Sequence, residues 1–309
     1  MSINETQILT YRPDFVRDAL KCVLGPDEYM PSIEQVSFWT DDEKEQVTYW
    51  ADRRGSGERP AVLNMSFEVR MKRYEGYRKP YVDTNLPIVI RLDGKSFSNF
   101  TRKFERPFDK CITSAMDAAT LALCEEVQPC LLAYTQSDEI TLVMGAYKNV
   151  NSQPWFNGSV QKIASVAASI VTLAFNLDLL ESHNDPTLRA YFDCRVWNLP
   201  SEEEVVNSLI WRQNDAMRNS VAMVASSVFS HRQLQGVSVA GMKDLLVEHG
   251  TPWESFPIRK TRGAMCYPVD QTGSGSVIRR GWSYDTDIPV FSDNRIFLEG
   301  MLESKTRLQ

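Results

Sequence analysis

The chain has 309 residues, of which 43% are hydrophobic and 24% charged, a composition typical of a globular protein that buries its core in one large domain or two ordinary ones. No stretch approaches eighteen uncharged apolar residues, and the N-terminus is polar, so the sequence predicts neither a membrane span nor a signal peptide and indicates a cytoplasmic protein. Its six cysteines form no Cys-x-x-Cys pair, which favours reduced thiols over a zinc site.

Charge is distributed unevenly along the chain, although its net value is −6. Residues 1–63 carry 7 Lys and Arg against 12 Asp and Glu, whereas residues 64–110 carry 11 against 6. The basic segment fits a phosphate-rich ligand. A solvated basic face explains it equally well.

The first 63 residues predict an acidic, mainly helical extension. Thr40 is placed to cap a helix over residues 41–53, which has acidic residues in its first turn and arginines at its end. The segment GSGERP at residues 55–60 predicts a linker. Residues 64–230 are then expected to form the main domain, and residues 231–309 to complete it with helical and irregular segments.

Hydrophobic periodicity in the main domain predicts strands and helices in a definite order. They are a strand at 87–92, a helix at 108–126, two strands at 131–135 and 139–144 joined by a turn, a helix at 160–180, a strand at 189–197 and a helix from Ser201 to about residue 229. This order favours an α+β fold, an antiparallel sheet with helices packed on one face, as in ferredoxin-like palms.

Two carboxylates stand where apolar strands stop. Asp93 ends the run PIVIRLDG at 87–94, and Asp138 lies in the turn of AYTQSDEITLVM at 133–144. If the two strands are neighbours, the acids meet, and burying them together is costly unless cations lie between them. The pair predicts two magnesium ions around a polyphosphate, and hence phosphoryl or nucleotidyl transfer. Glu139 is adjacent to Asp138 and, in extended geometry, points to the opposite face from it, so it is the weaker candidate for this site.

The surroundings of this pair add further signals. Gly94 lets backbone N–H groups approach phosphate oxygens, and the segment KSFSNF at 95–100 predicts either an anion-binding nest or an ordinary turn. The three histidines lie far from both acids in sequence, which favours metals over an imidazole base. In the last predicted helix, Arg212, Asp215 and Asn219 share the side opposite an apolar stripe, as expected of a solvated face, a nucleotide site or a subunit contact.

Several strings occur along the chain in a characteristic order. They are MKRYE at 71–75, RLDGKSF at 91–97, FERPFD at 104–109, YTQSDE at 134–139, VQKIAS at 160–165, FDCRV at 192–196 and WRQNDAMRN at 211–219. Over roughly residues 64–270 they resemble the tRNA-histidine guanylyltransferase family. Its members add nucleotides to RNA in the 3′-to-5′ direction.

The resemblance implies a polymerase-like palm in which Asp93, the Gly94 carbonyl and Asp138 bind two magnesium ions. Glu139 remains the weaker candidate catalytic residue beside the two aspartates. It also implies GTP and ATP as substrates, tRNA or a tRNA-like RNA as partner, and a homotetramer. The candidate nucleotide-binding positions are Gly94, Lys95, Ser96, Phe97, Ser98, Arg106, Asp109, Ser137, Lys162 and Asn219.

Departures from the family pattern bear on the activation of the RNA end. Where eukaryotic members carry KPND, this chain has RPFD at 106–109, and the paired arginines usual before Lys162 are Gly158 and Ser159. The string MRNS at 217–220 resembles the bacterial and archaeal branch, which prefers template-directed repair of truncated tRNA 5′ ends. Repair is therefore the expected activity. The alternatives are a palm-type nucleotide cyclase or free-nucleotide polymerase, and a non-catalytic RNA-binding protein.

Overall fold

The chain divides into two compact units, residues 1–78 and 79–309. The computed structural model describes residues 35–39, 46–50, 80–147, 154–272 and 278–306. The division falls later than the predicted boundary at residue 63, and the predicted linker at 55–60 lies outside the described residues.

The described residues of the first unit form a two-stranded antiparallel sheet of β1 (Gln35–Trp39) and β2 (Gln46–Trp50). The predicted helix over 41–53 is therefore wrong at β2, and the two strands do not fit a mainly helical extension. Val47 lies opposite Phe38 in the register, and Tyr49 lies opposite Val36. This alternation of β-branched and aromatic residues favours a strand, and here it outweighs the charges that are typical of helix ends.

The second unit is built on a six-stranded antiparallel sheet, which confirms the α+β class. Its strands are β3 (Ile88–Gly94), β4 (Cys130–Gln136), β5 (Glu139–Met144), β6 (Phe192–Asn198), β7 (Ala264–Thr272) and β8 (Ile278–Asp285), in the spatial order β6-β3-β5-β4-β7-β8. β4 and β5 form the predicted hairpin, and β5 also pairs with β3. The hairpin turn therefore lies beside the end of β3.

Two long helices, α2 (Lys110–Glu126) and α3 (Val160–His183), cover one face of the sheet, and a short α1 (Phe97–Phe100) follows β3. Ile90 and Leu92 of β3 point into this layer, as the two-residue period of a strand requires. This is the helical layer that the sequence predicts.

By length and apolar composition alone, α3 is able to span a membrane. One side of it nevertheless belongs to the core of the second unit. That side is formed by Ile163, Ala167, Val171, Phe175 and Leu179, all of them buried. Such a stripe is typical of a helix packed on a sheet.

The opposite face of the sheet also carries helices, α4 (Glu202–Val228) and α8 (Arg295–Thr306). The Ser201 hydroxyl caps α4 by accepting a hydrogen bond from the Glu204 N–H at 3.3 Å. The prediction of helices on one face thus describes only half of the architecture. α4 is therefore positioned to line a cavity at the edge of the sheet where β3 ends and β5 begins.

The C-terminal segment runs through α5 (His231–Leu234), α6 (Val239–Glu248) and α7 (Ile258–Thr261) into β7 and β8. The prediction of helical and irregular structure for residues 231–309 is wrong at these strands, which extend the sheet beyond β4. Pro268 weakens the strand signal of β7, yet it lies past the three residues that pair with β4. Gly263 turns the chain into β7 with a positive φ of 87°, and a Cβ there would lie 2.5 Å from the Thr135 carbonyl oxygen.

Candidate active site

Asp93 and Asp138 meet at the end of the sheet. The Gly94 N–H donates a hydrogen bond to the Asp138 carbonyl oxygen at 3.1 Å, which ties the end of β3 to the hairpin turn. Burial, followed by repulsion from Asp93, raises the pKa of Asp138 to about 6. Burial and repulsion from Asp193 also raise the pKa of Asp93. The fold thus holds two carboxylates together against their mutual repulsion.

Asp93 lies in the middle of a row of carboxylates on one face of the sheet. Its direct neighbours in the register are Glu139 on β5 and Asp193 on β6. Glu139 is paired with Arg212 at 2.6 Å, and Asp193 has an arginine of its own strand at 3.9 Å. Among the described residues, neither Asp93 nor Asp138 has an ion-pair partner within 4.0 Å. Two neighbouring carboxylates without a direct ion-pair partner fit a hard divalent cation.

Glu139 does not line the cavity next to the two aspartates. Its carboxylate accepts hydrogen bonds from Nε and Nη2 of Arg212, both at 2.6 Å, and Arg212 also donates to Asp215 at 3.0 Å. Arg212 is only 7% exposed, so the solvated face considered for it is wrong. Glu139 and Arg212 therefore form a buried ion pair.

Gly94 sits where a side chain has no room. A Cβ there would overlap the Phe97 ring and lie 3.0 Å from the Asp138 Cβ. We therefore expect Gly94→Ala to lower the free energy of unfolding by about 1–3 kcal/mol in urea titrations, the usual effect of overpacking. Gly300→Ala is the control, because a Cβ at that position meets no atom within 4 Å. Equal stability of the two variants would contradict this account.

A cavity of about 570 Å³ opens beside the aspartates, a size suited to a small-molecule ligand. Besides Asp93 and Asp138, most of the predicted nucleotide-binding residues line it. They are Gly94, Ser96, Phe97, Ser98, Arg106, Asp109, Ser137 and Asn219. The fold therefore brings most of the residues predicted from the sequence to one cavity.

Two predicted positions lie outside this cavity. The Lys95 N–H donates to the Tyr191 carbonyl oxygen at 2.8 Å, so this amide holds the loop to the start of β6 and is not part of a nest. Lys162 is exposed in the first turn of α3. Neither lysine therefore lines the cavity that contains the two aspartates.

Asp109 shapes the cavity wall from the N-terminus of α2. Its carboxylate accepts hydrogen bonds from the N–H groups of Glu105, Cys111 and Ile112 at 3.0, 2.8 and 3.1 Å. Asp109, Cys111 and His183 also bring possible ligand atoms within 4.8 Å of one another. Because both Asp109 oxygens already accept backbone hydrogen bonds, this group is a poorer metal site than Asp93 and Asp138.

Two cations on α7 that were not predicted from the sequence, Arg259 and Lys260, line the same cavity. Arg259 donates to Asp117 at 2.9 Å, and Lys260 donates to the Asp109 carbonyl oxygen at 3.3 Å. Burial, followed by the charge of Arg259, lowers the pKa of Lys260. The basic run RKTR at 259–262 was the available signal, but only the fold brings it to the aspartates. The cavity thus combines two carboxylates that suit a metal cation with two basic side chains that suit an anion.

Comparison with known proteins places this arrangement in one family. A family model described as "Thg1: tRNAHis guanylyltransferase" matches residues 68–200. A bacterial Thg1-like protein solved in complex with ATP is 36% identical with a TM-score of 0.69, over 76% of this chain and 99% of that one. The bacterial protein solved in complex with GTP is 32% identical with a TM-score of 0.66, over 77% and 99%.

A curated relative extends the similarity to eukaryotes. A probable tRNA(His) guanylyltransferase of Drosophila melanogaster is 30% identical over 195 residues, which are 59% of this chain and 66% of that protein. The match to the bacterial structure spans nearly all of that structure, and the residues matched by the family model include both aspartates. The chain belongs to the tRNA-histidine guanylyltransferase (Thg1) family.

Proposed function

We propose that the chain is a magnesium-dependent enzyme that adds nucleotides to the 5′ end of tRNA or a tRNA-like RNA in the 3′-to-5′ direction, as template-directed repair. Membership of the family makes it a nucleotidyltransferase, and the relatives' names supply tRNA, ATP and GTP. Asp93 and Asp138, two cavity-lining carboxylates without a direct ion-pair partner among the described residues, carry the magnesium part of the proposal.

Asp93, Asp138 and the Gly94 carbonyl would hold two magnesium ions. Ions bound there would lower the pKa of an attacking hydroxyl and offset the charge of a leaving pyrophosphate. The chain itself supplies a fixed frame, because the Gly94 N–H bond to Asp138 keeps the two acids together before any ligand arrives. Preorganisation of this kind lowers the cost of assembling the site.

The remaining cavity residues bind and orient the nucleotide. Arg259 and Lys260 bring positive charge to a cavity that must accept a triphosphate. Phe97 anchors the loop after β3 by packing on Phe175 and Phe192, with ring centroids 5.8 and 6.0 Å apart. The loop therefore keeps its shape when a phosphate chain lies along it.

The cavity wall at Phe108 supports repair of RNA ends that already carry a triphosphate. The Phe108 ring packs edge-on against Phe256, with centroids 5.6 Å apart, where eukaryotic members have an amide. Gly158 and Ser159 likewise provide no cation before Lys162. Gly158 and Ser159 lie outside the cavity lining, so the wall itself differs at Phe108, and the loss of an amide there suits an end that needs no activation. The homotetramer and the cytoplasmic location stay predictions.

The test is an extension assay on intact and 5′-truncated tRNA transcripts, with a 5′-triphosphate or a 5′-monophosphate, and with each of the four NTPs. We expect the truncated, triphosphorylated transcript to gain complementary nucleotides at its 5′ end. Asp93→Ala and Asp138→Ala should each abolish this growth, because each removes a ligand of the ions.

The matched control is Asp287→Ala, which removes an exposed carboxylate that does not line the cavity. Growth that persists in both cavity variants would refute the site. Product formed from NTPs without RNA would favour a cyclase or free-nucleotide polymerase instead.

A further inference from the structure

A second groove, of about 500 Å³, lies between α4 and α6. Trp211, Asn214 and Arg218 line it from α4, and Lys243 lines it from α6 above the buried Trp253. At 100° per residue these α4 positions point away from Asn219 and its neighbours, which line the aspartate cavity. The groove is therefore separate from that cavity, with α4 as the wall between them.

The groove exposes an aromatic surface that the fold holds in place. Trp211 is 54% exposed, although indoles are usually covered. The guanidinium of Arg212 lies 4.6 Å from its ring centroid, and that of Arg91 lies 5.8 Å away. Because Arg212 is itself fixed by its buried pair with Glu139, the indole sits on a rigid support. Exposed aromatic rings beside arginines are the platforms on which single-stranded nucleic acids stack their bases.

The charge of the groove favours an anionic ligand. Its described lining residues include two cations and no carboxylate, in a chain whose net charge is −6. Arg218 pairs with Asp215 at 2.7 Å and Lys243 with Glu254 at 2.9 Å, but both carboxylates lie outside the lining. The Arg218 side chain is 59% exposed, and its guanidinium has further N–H donors to offer.

A second set of cations leads from the groove to the catalytic acids. Arg91, which contacts Trp211, lies directly opposite Arg195 in the β3–β6 register. Arg195 pairs with its neighbour Asp193 at 3.9 Å, but its side chain is 59% exposed, so its guanidinium keeps N–H donors for a phosphate. Arg91 precedes Asp93 by two residues on the same face of β3, about 7 Å along the strand. A polyanion lying on Trp211 can therefore continue to Asp93.

We propose that this groove binds a single-stranded segment of the RNA substrate, with one base stacked on Trp211 and the neighbouring phosphates on Arg91 and Arg218. The identity of the ligand as RNA rests on the proposed function. The groove would hold the RNA while its 5′ end lies at the aspartates.

The test measures binding of a short, labelled, single-stranded RNA to the full chain by fluorescence anisotropy. Trp211→Ala should weaken binding by about 5- to 150-fold, the loss expected for one stacked base. Trp211→Phe should keep most of the affinity, which separates stacking from misfolding. The control is Leu173→Ala, another exposed apolar residue, 62% exposed on α3.

Salt dependence tests the phosphate contact. Arg218→Gln should reduce the slope of log Kd against log salt by about 0.7, the value for one phosphate of a single strand. Arg232→Gln, at an exposed arginine on α5, should leave the slope unchanged.

Three results would overturn the groove proposal. The first is unchanged RNA affinity in Trp211→Ala. The second is a Trp211-dependent interaction with poly-glutamate but not with RNA, which would indicate an acidic protein partner. The third is a change of mass in light scattering without a change in RNA affinity, which would indicate a contact between copies of the chain.

The groove proposal and the proposed function can be tested separately. Asp93→Ala should still bind RNA through Trp211. A parent chain that binds RNA in this way without extending it would refute only the proposed reaction.

Discussion

An Asp138→Asn variant is expected to lose nucleotide addition by more than about 100-fold, since even residues that merely support a metal ligand cost about 10- to 100-fold when removed. Without magnesium, the same variant should be more stable than the parent chain at pH 8. Folding raises the pKa of Asp138 from 3.8 to about 6, so the folded chain holds this proton more tightly than the unfolded chain does. That stabilising contribution is present below pH 3.8 and is lost as the pH rises through 6.

The asparagine carries no charge at any pH, so its advantage should grow between pH 4 and pH 6. At pH 8 it should reach at most about 3 kcal/mol. Thermal unfolding in a chelator at pH 4 and pH 8 measures the difference. Asp287→Asn, at an exposed carboxylate, should show no such dependence. A chelated Asp138→Asn chain that is less stable than the parent at pH 8 would show that the carboxylate is satisfied without a cation.

Replacing Arg212 with methionine should lower the free energy of unfolding by about 3–5 kcal/mol, because it leaves a buried carboxylate without its partner. Glu139 is only 6% exposed, and both of its oxygens accept hydrogen bonds from Arg212 at 2.6 Å. The double variant Arg212→Met with Glu139→Leu removes both charges and should recover most of the loss.

Urea unfolding of the two single variants and the double variant gives the coupling energy directly. Lys243→Met is the control, since it breaks an exposed pair with Glu254 and should cost less than about 1 kcal/mol. If the double variant proved as unstable as Arg212→Met alone, the loss would come from packing around Arg212 and not from the stranded carboxylate.

The order of elements from β3 to α4 was predictable because each strand or helix shows its own hydrophobic period in the sequence. Apolar alternation in β3 and β5, the polar turn at Asp138 and the Ser201 cap are all local signals. β2 and β7 were not predictable in the same way. β2 has helix-like charges around it, and β7 contains Pro268, so both depend on strands that pair with them.

The same distinction between local sequence signals and tertiary contacts applies to the candidate site. Asp93 and Asp138 were predictable because neighbouring strand ends bring their residues together. Arg259 and Lys260 were not, because only the tertiary path of α7 brings them to the cavity. For Arg212 the solvated-face alternative was wrong, because a helical projection treats a charge opposite an apolar stripe as solvated. Its partner Glu139 stands 73 positions earlier, on a strand.

The position of β4 has a consequence for how the chain is made. In the finished sheet β4 lies between β5 and β7, and all of its residues are buried. During synthesis β4 leaves the ribosome long before β7. The N–H and C=O groups on its outer edge at residues 133–135 therefore stay unpaired until β7 has been made. An apolar edge of this kind is a template for aggregation. The C-terminal strands therefore protect the nascent palm, and a chain that stops before β7 should need a chaperone to stay in solution.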